Sequence, residues 1–317
     1  MLNLLKLKNG FNRETLVPVI ILILVVLYVY FPLTKAFYQQ DEWLGLGNYL
    51  ASGTGYIFLN TEGILPLILA QGRIFSGFVF YSFVKLFPLS IAPFVIFAIV
   101  FHSLNVVLMF LLGKKMLKRA LPAFLGSLFF AVSSVSQSAV TWPATIVGTL
   151  PSTTLIILSV FTFFKFVEKS GKKWLILTFL FLYFSLFFKE TAISLFLYLP
   201  FASLLFERFN LKKFLFTYWP FISFFLVDTL FRIFELRASN LQQTLFLESS
   251  SASYWQTLLT RAVLYPLTSF SLTFVPPEPF LWFARSLTKI YYPFVSPQEF
   301  ILFAQTAVLD LLSICLT

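Results

Sequence analysis

The sequence predicts an all-α fold, a polytopic bundle of transmembrane helices, on three observations. Apolar residues make up 59% of its 317 residues and aromatic residues 20%, against 11% charged, which is more apolar surface than a soluble core buries. The apolar residues come in runs of membrane-crossing length: about 20 residues cover a hydrocarbon layer about 30 Å thick, so a chain of this size holds roughly seven to nine crossings. Lys and Arg gather in short clusters between those runs. Strand-length alternation typical of a barrel is absent, and a lipid-exposed backbone must satisfy its own hydrogen bonds, which leaves helices.

The same features exclude other classes. A net charge of +10 could suggest nucleic acid, but the basic residues are spread over separate loops rather than along one face, so no nucleic-acid partner is expected. The single cysteine, Cys315, rules out an internal disulfide and any CxxC metal or redox site. Residues 16–31 follow Lys6, Lys8 and Arg13 as the core of a signal peptide would, yet Leu33-Thr34-Lys35-Ala36-Phe37 makes a poor cleavage site, so a retained first span is expected.

Orientation follows from the charge. Four basic clusters, Lys6/Lys8/Arg13, Lys114/Lys115/Lys118/Arg119, Lys165/Lys169/Lys172/Lys173 and Arg208/Lys212/Lys213, are cytoplasmic by the positive-inside rule, as is the N-terminus. Between clusters the chain must cross an even number of times. It goes out through 16–33 and back through 89–113, which leaves 35–88 as a long first outer loop. It goes out again through 121–132 and back through 144–164, with the polar stretch 133–138 as the hairpin tip. The segment between Lys173 and Arg208 is interrupted only by Lys189-Glu190; as one helix it would reach about 50 Å, so it reads as two spans, 174–188 and 191–206, with that pair at the outer turn. A seventh span, 214–233, closes a core of residues 1–233. It leads to a Pro-rich last outer region, 234–299, whose apolar stretch 262–275 is short enough to be interfacial or re-entrant. Residues 300–317 begin a further span, about the eighth, and the chain stops inside it, which reads as a truncation or a bare terminus.

Ionisable residues outside the cytoplasmic loops collect at the outer boundary. Asp41 and Glu42, followed by Trp43, open the first outer loop. Adjacent carboxylates offer one oxygen to an acceptor hydroxyl and another to a divalent metal such as Mg²⁺ or Mn²⁺, and their repulsion raises one pKa toward a useful range. A solvated acidic loop with Trp43 as interfacial anchor is the plainer alternative. Lys189-Glu190 interrupts an uncharged hairpin, where ionisable groups are costly and point to function; a polar turn capping two short spans is the alternative. Arg73, in Gln71-Gly72-Arg73, begins another outer apolar helix and could supply a second cation or snorkel to an interface. His102 and Asn105, one turn apart in 89–113, read as interhelical hydrogen-bonding groups. Asp228 and Arg232 read as a local ion pair. No P-loop, HExxH site or dinucleotide fingerprint is present.

In four places the chain resembles the GT-C class of membrane glycosyltransferases. Asp41-Glu42-Trp43 is similar to the acidic motif of their first outer loop. His102-Ser103-Leu104-Asn105 running into Gly113-Lys114-Lys115 resembles their H-x-x-N span and its basic turn. Ser136-Gln137-Ser138-Ala139-Val140-Thr141-Trp142 resembles the outer turn of bacterial and TMTC-like protein O-mannosyltransferase relatives, and Phe188-Lys189-Glu190-Thr191-Ala192 resembles their K-E-T/S-A turn. The similarity covers about residues 15–233. It departs from the family at Gln137, where relatives often carry Glu, and in its early end.

The resemblance implies a GT-C-type bundle in a bacterial plasma membrane that transfers a sugar, with inversion, from a polyprenyl-phosphate donor to a hydroxyl of a glycan, lipid or protein acceptor. Asp41 or Glu42 would be the base or hold a metal. Lys189 first and Arg73 second would steady the departing phosphate, Glu190 would orient Lys189 or bind the acceptor, and Trp43 and Gln137 would line the substrate site. A transporter or flippase for lipid-linked sugars would instead show matched halves and charges near the midplane. A non-catalytic scaffold of the same fold is the third reading.

Overall fold

The computed structural model describes residues 13–38, 40–53, 55, 69, 73–133, 139–169, 171–204 and 211–238. Every regular element among them is helical: α1 (Arg13–Tyr30) with a 3-10 turn (Phe31–Lys35), α2 (Gln40–Ser52), α3 (Ile74–Leu86), α4 (Ala92–Leu117), α5 (Ala120–Val132), α6 (Pro143–Lys169), α7 (Lys172–Leu186), a second 3-10 turn (Glu190–Ser194), α8 (Leu195–Ser203) and α9 (Leu211–Ala238). The chain divides into two units at Arg232, and the account below concerns the first.

Four segments are long and apolar enough to cross a membrane: Thr15–Lys35, Ala92–Leu117, Pro143–Lys169 and Phe214–Arg232. The runs expected at 121–132, 174–188 and 191–206 form helices of 13, 15 and 9 residues, below the roughly 17 residues a crossing needs. The last is shortened because the Lys189-Glu190 interruption opens a 3-10 turn that takes up Glu190–Ser194. The seventh run reaches Ala238, five residues past its expected end at 233. The stretch 133–138 is described only at Ser133, and 239–317 lies outside the described residues, including the expected interfacial segment and last span.

Two of the basic clusters, those around Lys114 and Lys165, mark one end of the bundle, while Lys6, Lys8 and the Arg13 side chain are outside the described residues. Lys114 Nζ, in the last turn of α4, donates to Thr15 Oγ1 near the start of α1 at 2.6 Å. Lys115 Nζ pairs with Glu168 at the end of α6 at 3.0 Å. Lys165 Nζ stands 4.4 Å from the ring centre of Trp174 at the start of α7. The cations at the α4 terminus also complement its carbonyl end. This basic end fixes an opposite end, reached by α1, α5 and α7 and left again by α4, α6 and α8.

Two apolar cores share α6 as a wall. Its first half packs Ile146, Val147 and Leu150 with Leu22, Val26, Phe80, Phe94 and Phe110. Its second half packs Phe163 with Leu182, Phe196 and Phe221 from α7, α8 and α9. Polar side chains bracket the helices internally: Asn105 Nδ2 donates to the Leu150 carbonyl at 3.0 Å, and Thr154 Oγ1 donates to Asn105 Oδ1 at 2.7 Å. His102 Nε2 lies 3.0 Å from the Ala131 carbonyl, which also accepts from Tyr30 at 3.0 Å. Ala131 belongs to the last turn of α5, whose carbonyls have no partner within their own helix. These are the interhelical bonds expected of His102 and Asn105.

Candidate functional site

The opposite end of the bundle gathers most of the ionisable residues singled out above. The chain leaves α7 at Phe187 and turns through Phe188 and Lys189 into the 3-10 segment beginning at Glu190. Against this turn lies the start of α3, tied by the Phe75 N–H to the Phe187 carbonyl at 3.1 Å and by the Phe75 and Phe187 rings, whose centres are 4.9 Å apart. Arg73 caps that helix in the left-handed region, φ 53°, a conformation a non-glycine residue holds only when its surroundings impose it. Here its guanidinium grips Glu190, Nε to Oε2 at 2.7 Å and Nη2 to Oε1 at 2.5 Å. The planar fork matches the carboxylate.

Lys189 turns the other way, into the bundle, and donates to Thr149 Oγ1 on α6 at 2.8 Å. The approach is close because Gly148 lacks a side chain: a Cβ there would stand 2.9 Å from the Phe188 carbonyl oxygen. Burial, and then the positive charge of Arg73, push the Lys189 ammonium below the usual lysine value, against an upward pull from Glu190. Burial alone would raise the Glu190 carboxyl, but the bond from Arg73, a backbone bond and the charges of Arg73 and Arg232 hold it below the usual value. Arg232 in turn donates to Asp228 at 2.6 Å, the ion pair expected from their spacing. Asp228 is fully buried.

Glu42 reaches α6 from the other side. It is 0% exposed, and its Oε1 accepts the Ala144 N–H at 3.0 Å. Tyr38 is pushed up by burial and then by the charge of Glu42, and its hydroxyl donates to the Ser90 carbonyl at 3.1 Å. Trp43 is 54% exposed; its Nε1 donates to the Tyr38 carbonyl at 3.2 Å. The Asp41 backbone lies in α2, while its side chain and the whole of Gln137 are outside the described residues.

The structure thus joins Arg73, Glu190 and Lys189 and sets Glu42 on the same helix, α6, that carries Thr149. Sequence reasoning did not find Thr149, Gly148 or the approach of Arg232 to Glu190. Spacing signals the Asp228–Arg232 pair but not what it faces, and small neutral residues in an apolar run carry no signal of their own. Of the two carboxylates expected to hold a metal, Glu42 bonds Ala144 through Oε1 and the Asp41 side chain is outside the described residues; among the described residues no three His, Cys, Asp or Glu side chains converge. Compared with protein-family models, curated proteins and solved structures, the chain matches none of them.

Proposed function

We propose that the chain is a membrane glycosyltransferase of the GT-C type, with about eight spans, in a bacterial plasma membrane with its N-terminus in the cytoplasm. It moves a sugar from a polyprenyl-phosphate carrier to a hydroxyl of a glycan, lipid or protein at the outer face. The observation that carries the reading is the pairing of cations at the end opposite the basic loops. Arg73 is bonded to Glu190, Lys189 is the next residue in the chain, and the charge of Arg73 reaches Lys189 strongly enough to lower its pKa. A phosphate entering there relieves their repulsion and accepts hydrogen bonds from both.

The position suits the substrate. A polyprenyl tail stays in lipid, so its head group reacts at the membrane boundary beside an apolar groove. In the transfer, the acceptor oxygen bonds to the anomeric carbon as the bond from that carbon to the phosphate oxygen breaks, with inversion. The electron pair leaves on the polyprenyl phosphate, where Lys189 and Arg73 stabilise the growing charge. The acceptor proton passes to Asp41. Asp41 takes this role rather than Glu42, whose carboxylate is buried and bonded to α6. Glu190 holds Arg73 in place until the donor arrives. A transporter would set its charges near the bilayer midplane, whereas these stand beside turns at one end of the bundle.

The test is release of polyprenyl phosphate by the purified chain supplied with polyprenyl-phosphate sugars and hydroxyl acceptors. Transfer by the wild type that is lost in Lys189→Met supports the reading; binding of the donor without release in any combination contradicts it.

A further inference from the structure

The first turn of α6 begins at Trp142-Pro143, which gives it an unusual accounting of backbone donors. Helices start with N–H groups that have no partner within the helix, and a Ser, Thr, Asp or Asn before the first turn commonly accepts one. Trp142 has no side-chain oxygen to offer, and Pro143 has no N–H. The Thr145 and Ile146 N–H groups both turn back to the Trp142 carbonyl, at 2.9 and 3.0 Å. The Ala144 N–H remains, and it is met by Glu42 Oε1 at 3.0 Å, across 102 positions of chain.

We infer that Glu42 is a positioning residue: a carboxylate cap delivered from α2 to the N-terminus of α6, which locks α2 and its neighbour Asp41 onto the helix whose Thr149 accepts from Lys189. Three observations meet here. Glu42 is wholly buried, so it does not face an acceptor. Its charge lies at the positive end of a 27-residue helix, where a carboxylate is favoured. The rest of α2 is seated on α3, with the Tyr49 and Tyr81 rings 5.3 Å apart and Gly45 so near Phe80 that a Cβ would stand 2.7 Å from its ring. The two carboxylates of the loop then divide their work, Asp41 reacting and Glu42 fixing where Asp41 stands. That division rests on the glycosyltransferase reading, whereas the cap itself does not.

Glu42→Gln and Glu42→Ala separate the roles. The glutamine keeps an oxygen for the Ala144 N–H and loses the proton acceptor; the alanine loses both. Hydrogen–deuterium exchange over residues 142–150 reads the cap without any substrate. Glu42→Ala is expected to exchange about tenfold faster there, and Glu42→Gln to stay within about threefold of wild type, as the usual cost of losing a cap implies. In transfer assays Glu42→Gln is expected to keep at least about a tenth of the wild-type rate. Unchanged exchange in Glu42→Ala overturns the cap. A loss of about 10²-fold or more in Glu42→Gln with exchange intact overturns the positioning role and makes Glu42 the base. If the wild type transfers nothing, the glycosyltransferase reading fails alone, and the exchange data still decide the cap. If Glu42→Ala does not fold, Glu42→Asp, too short to reach Ala144, takes its place in the exchange test.

Discussion

Arg73 and Glu190, 117 positions apart, close on each other through two parallel hydrogen bonds of 2.7 and 2.5 Å, and so join the start of α3 to the turn after α7. Their side chains are 54% and 38% exposed, so water screens much of the attraction. The forked geometry argues for the upper part of the range for surface pairs, a coupling of about 0.5–1 kcal/mol. A double-mutant cycle with Arg73→Met and Glu190→Gln, read by thermal unfolding in detergent, is expected to return that value. A coupling near zero would mean that the left-handed backbone at Arg73 is held by something other than Glu190.

The same carboxylate makes stability depend on pH in a stated direction. The folded-state pKa of Glu190 lies below its ordinary value, so between the two the unfolded chain binds more protons and stability rises with pH. The contribution is complete above the ordinary glutamate value and is lost as pH falls through the folded one. Unfolding temperature measured downward from neutrality should drop less steeply in Glu190→Gln than in wild type. Lys189 is also lowered, so at alkaline pH it loses its proton before a free lysine would. Phosphate-dependent binding should weaken with it, and in Lys189→Arg that alkaline limb should move upward.

Gly148 sets the spacing between α6 and the Lys189 turn. In Gly148→Ala the new methyl would lie 2.9 Å from the Phe188 carbonyl oxygen, a backbone atom that cannot rotate away. A cost of about 1–3 kcal/mol is expected, with loss of the Lys189–Thr149 bond. Thr149→Val removes the same bond without the clash and should destabilise by less. Equal stability of Gly148→Ala and wild type would show that the two elements are not in the contact described.

How far the site is legible in the sequence depends on the kind of signal each residue carries. Long apolar runs announce α1, α4, α6 and α9, because length and composition suffice. The charge clusters announce a shared end, and Lys114 with Thr15 and Lys115 with Glu168 now join it physically. Lys189-Glu190 stands out because charge is costly where it occurs. That Glu190 meets Arg73 while Lys189 turns to Thr149 is a matter of tertiary placement, which no local pattern encodes. Glu42 is instructive in another way. Beside Asp41 it looks like half of a reactive pair, yet Trp142-Pro143 already advertises a helix start without its own cap. The signal for the role of Glu42 stood 100 positions further along the chain.

Orientation is open to direct labelling. With Cys315→Ser as background, single cysteines at Gln40, Gln137 and Thr191 are expected to react with an impermeant thiol reagent added outside intact cells, and one at Ser170 is not. Protection at Thr191 together with labelling at Ser170 would invert the bundle and place the ion cluster in the cytoplasm.

The central claim is transfer chemistry at the ion cluster, and the most direct measurement is single-turnover transfer from a radiolabelled polyprenyl-phosphate sugar. Wild type, Asp41→Asn and Lys189→Met would be compared, each first shown to be monodisperse and equally stable. Asp41→Asn preserves the shape of the loop and removes the proton acceptor, so donor binding should survive while the transfer rate falls by at least about 10²-fold. Lys189→Met keeps the apolar stem and removes the cation, so both donor affinity and rate should fall, because the ammonium serves the bound phosphate and the leaving one alike. Unaltered transfer in both variants, or donor binding with no transfer in the wild type, would contradict the account.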